Sequence, residues 1–396
     1  KLEIPAGNFI DCTPNLVIAL TTPTPPPVLT TCPTPSANMP NDPYYCKSGS
    51  WGQGYDDLWG LKKINMEEAW KESTGSANIV VADIDTGVDY NHPDIKANVW
   101  TNPNEIVGNG VDDDGNGYVD DVHGWDFANN DNDPLDDEGH GTHTSGTIGA
   151  VGNNGLGVVG VNWKTSIMAV KFIAASGSGY LSDAVSSLIY AADNGARVSN
   201  NSWGCDCKQA TALTDALAYA HDKNMVIVVA AGNDKADVIG FSPASDVNVI
   251  TVSSFDHNDK KSDFSNWGVK IDVAAPGGDS WNSSSTNNYR NILSLRASGT
   301  DMYADPDMVV NSGYYRSRGT SMAAPHVAGL AALILSKHPE FTNEDIRQII
   351  RTSSDDVDKP GFDLNSGSGR INAGKAMKVD SVLKARITEP SKSDVL

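Results

Sequence analysis

The chain has 396 residues, of which 29 are Lys or Arg and 50 are Asp or Glu, a net charge of −21. So acidic a chain argues against a nucleic-acid binder, because phosphate contact needs a basic face, and against docking on an anionic bilayer. Hydrophobic residues make up 39%, enough for a sizeable core, and no apolar run reaches the ~18 residues that span a membrane.

The chain opens on Lys1 with no positive-then-apolar leader and reads as a processed protein. Residues 1–40 form a Pro/Thr-rich arm, because TTPTPPPVLTTCPTPSANMP (21–40) can make neither a helix nor an interior strand and is expected to run extended. A catalytic domain is expected over 41–378 and a linker or tail over 379–396. Strand candidates are IVVADID (79–85), SIMAVKF (166–172), RVSNNSW (197–203), MVIVVAA (225–231), NVITVSS (248–254) and VKIDVAA (269–275). Helical stretches lie between them at 182–195, with Ser182 as expected cap, and at 210–224. Near-continuous apolar strands alternating with helices indicate an α/β fold with a mostly parallel central sheet and helices on both faces. Residues 280–318 are polar and weakly periodic, and a long surface excursion is expected there. TSMAAPHVAGLAALILSK (320–337) is apolar all round and predicts a buried helix. TNEDIRQIIRTS (342–353) predicts a capped surface helix, with Thr342 as N-cap and Asp345 three residues on.

Three patches place a reactive side chain among small residues: VADIDTGVD (81–89), DDEGHGTHTSG (136–146) and GTSMAAPHVAG (319–329). Asp85 ends a buried strand, where sites form in open parallel sheets. His140 lies between two glycines at an expected helix start. Ser321 falls in the first turn of the long apolar helix, where N–H groups and the positive dipole end point outward. An acid, a base and a hydroxyl so placed are the parts of a Ser-His-Asp triad. The strand MVIVVAAGN (225–233) ends in Asn233, a side-chain donor suited to an oxyanion hole.

These four patches, in this order, resemble the signatures of the subtilisin-like serine proteases, the subtilase family, nearest its thermitase/subtilisin branch. The likeness runs from about Asn41 to Met377. It implies a three-layer subtilisin-like fold and a secreted serine endopeptidase acting on protein and peptide substrates. It implies Ser321 as nucleophile, His140 as general base, Asp85 as its orienting partner, and Asn233 with the Ser321 N–H as oxyanion donors. It implies a substrate edge at Gly177, Ser178 and Gly179, an opposite wall at Ser202, Trp203 and Gly204, and a specificity pocket lined by Ala230, Ala231 and Gly232, with Phe241–Ala244 as its floor and a cis Ser242–Pro243 bond. GNFIDCTPNLVIAL (7–20) weakly resembles the closing strand of a pro-domain, which implies that the enzyme's own pro-domain serves as its inhibitor. A monomer is expected.

From Asp112 to Glu138 there are eleven carboxylates and no Lys or Arg. Asp112, Asp114 and Asn116 fall at positions 1, 3 and 5 of an EF-hand-like loop, with Gly117 at the sharp turn, a carbonyl at Tyr118 and Asp120 at position 9. Position 12 is His123 rather than Glu, so Asp121 or a more distant carboxylate must complete a Ca²⁺ site. The resemblance implies a second Ca²⁺ site, from Asp42, Asp94, Asn154 and the carbonyls of Val151, Leu156 and Val158.

Other readings of the same residues are weaker. Aspartic-protease chemistry needs two carboxylates sharing a site, and no second DTG or DSG follows Asp85. Asp83, on the same strand face, is a costly residue to bury without hydrogen bonds. HGTH lacks the spacing of a zinc-protease helix, so His143 and His326 are expected to support the site rather than react. Met322 resembles an oxidation-prone neighbour of the nucleophile, if exposed. The five cysteines are odd in number, and Cys205 and Cys207 could pair with each other or with Cys12, Cys32 or Cys46. The alternative functions are a calcium-dependent binding module that has lost turnover, and a structural calcium-loop protein.

Overall fold

The computed structural model describes residues 3–5, 39–207, 210–278 and 292–382. The central sheet has seven strands: β1 (Gly75–Asp85), β2 (Gly124–Asp126), β3 (Lys164–Lys171), β4 (Val198–Asn201), β5 (Val226–Ala230), β6 (Val249–Phe255) and β7 (Val273–Pro276). Their order across the sheet is β2-β3-β1-β4-β5-β6-β7, and every pairing is parallel. The chain lays β2 and β3 on one side of β1 and then crosses to β4 on the other. Asp85 therefore ends the strand at which the winding reverses, the place where such sheets open a crevice.

Helices cover both faces. α1 (His140–Gly149), α4 (Thr320–Lys337) and α5 (Asn343–Ser353) pack with Val81, Val198, Val228 and Ile250 in one core cluster. α2 (Leu181–Asp193) and α3 (Thr211–Asp222) pack with Ala82, Ile84, Ile227 and Val229 in the other. This is the expected three-layer α/β arrangement. Because strand side chains alternate with a period of two, the face that takes Val81 also takes Asp83 and Asp85. Both carboxylates consequently point under α1 and α4. α4 is buried from Thr320 through Leu335, as its unbroken apolar composition requires.

Several sequence expectations need correcting. The strand expected from 269 begins at Val273, because Val269 is exposed and Gly268 turns with φ 142°. α2 begins at Leu181 behind Tyr180, which makes no side-chain cap, so Ser182 lies inside the first turn. The described part of 280–318 is no surface excursion. Ile292–Leu295, Tyr314–Ser317 and Val309–Val310 form an antiparallel sheet, and Leu293, Leu295 and Tyr314 join the main core. Its short apolar runs were hidden by the polar residues around them. The pro-domain likeness at 7–20 and the tail beyond 382 lie outside the described residues.

At the start of α5, Thr342 Oγ1 accepts the Asp345 N–H (3.2 Å) and Asp345 Oδ2 accepts the Thr342 N–H (3.0 Å), the expected capping box. Thr342→Ala removes one half of it and should lower unfolding stability by about 1 kcal/mol. Urea denaturation checks this, and an unchanged midpoint would count against the cap.

Candidate active site

β1 stops at Asp85, whose Oδ1 accepts the Thr86 N–H (2.7 Å) and lies 2.7 Å from His140 Nδ1. An ionised carboxylate only accepts, so Nδ1 carries a proton, and in the neutral ring Nε2 is the acceptor. Nε2 is buried and has no hydrogen-bond partner among the described residues.

The start of α1 is held from outside the helix. Gly139 at the N-cap has φ 112° and no capping side chain. Asp136 replaces it: Oδ1 accepts the N–H groups of Glu138 (3.0 Å) and Gly139 (2.8 Å), and Oδ2 accepts the Thr142 N–H (2.8 Å) and hydroxyl (2.6 Å). The Thr86 hydroxyl donates to Asp136 (2.9 Å) and accepts the Gly141 N–H (2.8 Å). A Cβ at Gly141 would sit 2.1 Å from the Gly87 carbonyl oxygen, so only glycine lets His140 come this close to Asp85. Lys171, buried on β3, ties the same turn by donating to the carbonyls of Thr86 (2.8 Å) and Ile173 (2.9 Å) and to Asp137 (2.6 Å).

Three histidines share this core and differ in charge. Burial alone would depress His140, but the Asp85 charge, the hydrogen bond to it, and the charges of Glu138 and Asp83 outweigh burial and push it up to about 9. Burial and the His140 charge push His143 down to about 3, and burial pushes His326 down to about 4. His143 Nε2 donates to the carbonyls of Ile292 and Tyr315, both at 3.1 Å, and His326 Nδ1 donates to the Met322 carbonyl (2.9 Å).

Ser321 is the second residue of α4. The Thr320 N–H (2.9 Å) and hydroxyl (3.0 Å) both donate to Asn233 Oδ1, which turns the amide nitrogen of Asn233 away from them. A Cβ built on Gly319 would lie 3.5 Å from Asn233 Nδ2 and 3.6 Å from the Ser321 backbone nitrogen. Two donors thus border one hollow, kept open because residue 319 has no side chain. Such a hollow suits an anionic oxygen. Pro325 inside α4 lacks the N–H that would bond the Ser321 carbonyl. The Ser202 hydroxyl donates to that carbonyl instead (2.9 Å). In return the Ser321 hydroxyl donates to the Ser202 carbonyl (3.1 Å), not to His140.

Of the expected groove residues, Ser202 and Gly232 are tied to the start of α4. The backbone of Glu3–Pro5 pairs antiparallel with Ser178–Tyr180, Ile4 opposite Gly179, so this edge accepts an extended strand. Gly177 turns into it with φ 75°. Ser202 and Gly204 are buried, and the Trp203 indole packs against Phe172 at 4.9 Å between ring centroids, fully buried. That side chain belongs to the core, so a groove contact at Trp203 is left to its backbone. Ala230 ends β5, Ala231 and Gly232 follow it, and the Gly232 N–H donates to Thr320 Oγ1 (3.1 Å). Ser242–Pro243 is cis. Cys205 and Cys207 are bonded to each other. Met322 is fully buried against Met302 and Tyr315, so the exposure that oxidation requires is not met.

The acidic loop differs from the EF-hand register. Asp112 is spent inside the loop, accepting the N–H groups of Gly115, Asn116 and Gly117, and Asp120 accepts those of Asn109 and Gly110. The carboxylates that converge are Asp114, Asp121 and Glu105, each with an oxygen within 4.8 Å of the others. Asn116 donates to Asp114 and Asp121, and Tyr118 N–H closes onto Asn116. Burial raises the Asp121 pKa, so a cation there would offset an unfavourable charge. Glu105 was missed because it lies seven residues before the loop's first Asp. At the second place, Asp94 accepts Asn154 Nδ2 (2.7 Å) and the Val158 N–H (3.0 Å), and Asp42 accepts the Asn153 N–H (2.7 Å). The Val151 N–H donates to the Asp94 carbonyl (2.8 Å), and Leu156 is exposed. Burial and the Asp94 charge push Asp42 up to about 7. The Glu105, Asp114 and Asp121 cluster is all-oxygen and could hold a hard divalent cation.

Thr320, Asp136 and Lys171 were also missed. Lys171 had a signal, a lone charge in an apolar strand.

Residues 76–369 match the model described as the subtilase family. The chain is 38% identical over 342 residues to the thermophilic serine proteinase of Bacillus sp. (strain AK1), covering 86% of this chain and 70% of that protein. It is 36% identical to thermitase of Thermoactinomyces vulgaris, covering 86% and 99%. A solved protease of Pseudoalteromonas arctica superposes with a TM-score of 0.68 at 31% identity, over 86% of this chain and 98% of that one.

In an NMR titration of the free protein, His140 should lose its proton above 6.5, while His143 and His326 stay neutral at 6.5. The raised value also means that His140 contributes stability fully below 6.5 and loses it as pH rises through about 9. A His140 midpoint at or below 6.5 would show that the carboxylates do not outweigh burial.

Proposed function

The chain belongs to the subtilase family and is a serine endopeptidase, and on that premise we propose that Ser321, His140 and Asp85 carry its chemistry, with Asn233 and the Ser321 N–H as oxyanion donors. The observation that carries this reading is the buried Asp85–His140 hydrogen bond, which leaves Nε2 without a partner, ready to accept once the ring is neutral, on a helix packed against the one that holds Ser321. The Ser321 hydroxyl swings from the Ser202 carbonyl to Nε2 and gives up its proton as Oγ adds to the scissile carbonyl. The oxyanion enters the hollow at Gly319. His140 then passes the proton to the leaving amine, and water releases the acyl group by the reverse route. Asp85 keeps the ring in one tautomer and stabilises its charged form.

Substrate backbone pairs with Gly177, Ser178 and Gly179 and faces Ser202–Gly204, and its side chain enters the pocket at Ala230, Ala231 and Gly232. The pairing of Glu3–Pro5 with this edge supports an inhibitory role for residues 1–40, as a pro-domain remnant. Ca²⁺ is held by Glu105, Asp114 and Asp121, and a second ion by Asp42, Asp94 and the 151–158 loop. Bound calcium favours only the folded form and so protects these loops from self-digestion. The enzyme acts outside the cell as a monomer.

Wild type should hydrolyse an unstructured protein and lose activity on chelation, while Ser321→Ala is inactive with or without calcium. Equal activity in the variant would sink the serine assignment. Asn233→Ala should lower kcat about 10²–10³-fold with little change in KM, the size known for removing this donor from subtilisin. Unchanged kcat would remove Asn233 from the oxyanion site.

A further inference from the structure

Asp83 takes no part in the steps above, yet it is a fully buried carboxylate two residues from Asp85 on the same strand face. Its Oδ2 accepts the hydroxyls of Thr144 (2.7 Å) and Ser145 (2.5 Å), and its Oδ1 accepts Asn200 Nδ2 (2.8 Å). Thr144 lies one helical turn beyond His140, so the two hydroxyls fix that part of α1 against β1. The same Asn200 nitrogen donates to Ser202 Oγ (3.1 Å), whose hydroxyl donates to the Ser321 carbonyl (2.9 Å). One carboxylate therefore joins the helix that bears His140 and, through Asn200 and Ser202, the helix that bears Ser321. An apolar residue could fill the volume but would leave the Ser145 hydroxyl and one Asn200 N–H buried without an acceptor, and Thr144 with only the Gly141 carbonyl (3.0 Å).

We propose that Asp83 is a positioning residue for this site: it anchors α1 and β4 to the strand that ends in Asp85. The proposal rests on the roles assigned above to Asp85, His140 and Ser321. The groups that face Asp83 are Asp85 on its own strand, His140, Thr144 and Ser145 on α1, and Asn200 on β4. Lys171 on β3, opposite Asp85, is committed to Thr86, Ile173 and Asp137. Asp83 is held by the neutral donors Thr144, Ser145 and Asn200. Burial and the Asp85 charge push it up to about 7, against the three donors, and its own charge is among those that raise His140. Asp83 and His140 therefore titrate as a linked pair.

The test compares wild type, Asp83→Asn and Ser145→Ala by kcat/KM against pH, and by NMR titration of His140 in a Ser321→Ala background, which avoids self-digestion. In Asp83→Asn the acid limb and the His140 midpoint should both move down by about one pH unit. Its kcat should fall about tenfold with KM little changed, as displaced catalytic groups require. Ser145→Ala keeps the carboxyl but removes one donor, so Asp83 is less ionised near neutrality and the same shift appears in smaller size. If Asp83→Asn does not fold, Ser145→Ala decides. A lower melting temperature with the limb and midpoint unmoved in the folded variants would make Asp83 merely structural and overturn the proposal. Activity retained in Ser321→Ala would instead overturn the underlying assignment, and the His140 titration would still read the Asp83 effect on its own.

Discussion

The site depends on carboxylates kept in a dry layer. β1 delivers Asp83 and Asp85 to the face that α1 and α4 cover, with water excluded from both. A buried charge is tolerated only where donors reach it, so the neighbouring elements are constrained in detail. α1 must present Thr144 and Ser145 to one carboxylate and His140 to the other. β4 must bring Asn200, and α4 must start beside Ser202. The side-chain choices along GHGTHTSG (139–146) follow from this requirement. The glycines permit the approach and the hydroxyls supply the donors.

Much of this was legible in the sequence, for identifiable reasons. Strands buried on both faces announce themselves as apolar runs, so β1, β3, β5 and β6 were found to within a few residues. α4 was found at both ends because its composition admits no exposed face. Asp85, His140, Ser321 and Asn233 stand out because each is a reactive group among small residues at the end or start of an element. Less was legible where partners are far apart in the chain. Glu105 converges with Asp114 and Asp121 only after the loop folds back, and Asp136 caps a helix from beyond the usual cap position. The antiparallel sheet at 292–317 is built from strands of two to four residues, too short to show a period.

The acidic composition has a local meaning as well as a global one. In the 105–121 loop, carboxylates serve two distinct purposes. Asp112 and Asp120 receive backbone N–H groups and shape the turn, while Glu105 and Asp114, which also receive backbone N–H groups, converge with Asp121. Spacing along the chain cannot separate these purposes, because both use the same residue at neighbouring positions. The convergence appears only once the loop has folded back on Glu105.

The burial of α4 has a consequence for how this molecule fails. A segment surrounded by core on all sides opens only when the whole domain opens, whereas surface loops open locally at far lower cost. The proposed nucleophile is therefore carried by the last part of its own chain to open. Nicks in the outer loops leave the centre assembled, and activity reports on global unfolding rather than on the first damage. Loss of function in such a protein follows the unfolding rate of its core, so its working lifetime is a kinetic property of the centre and not of the surface.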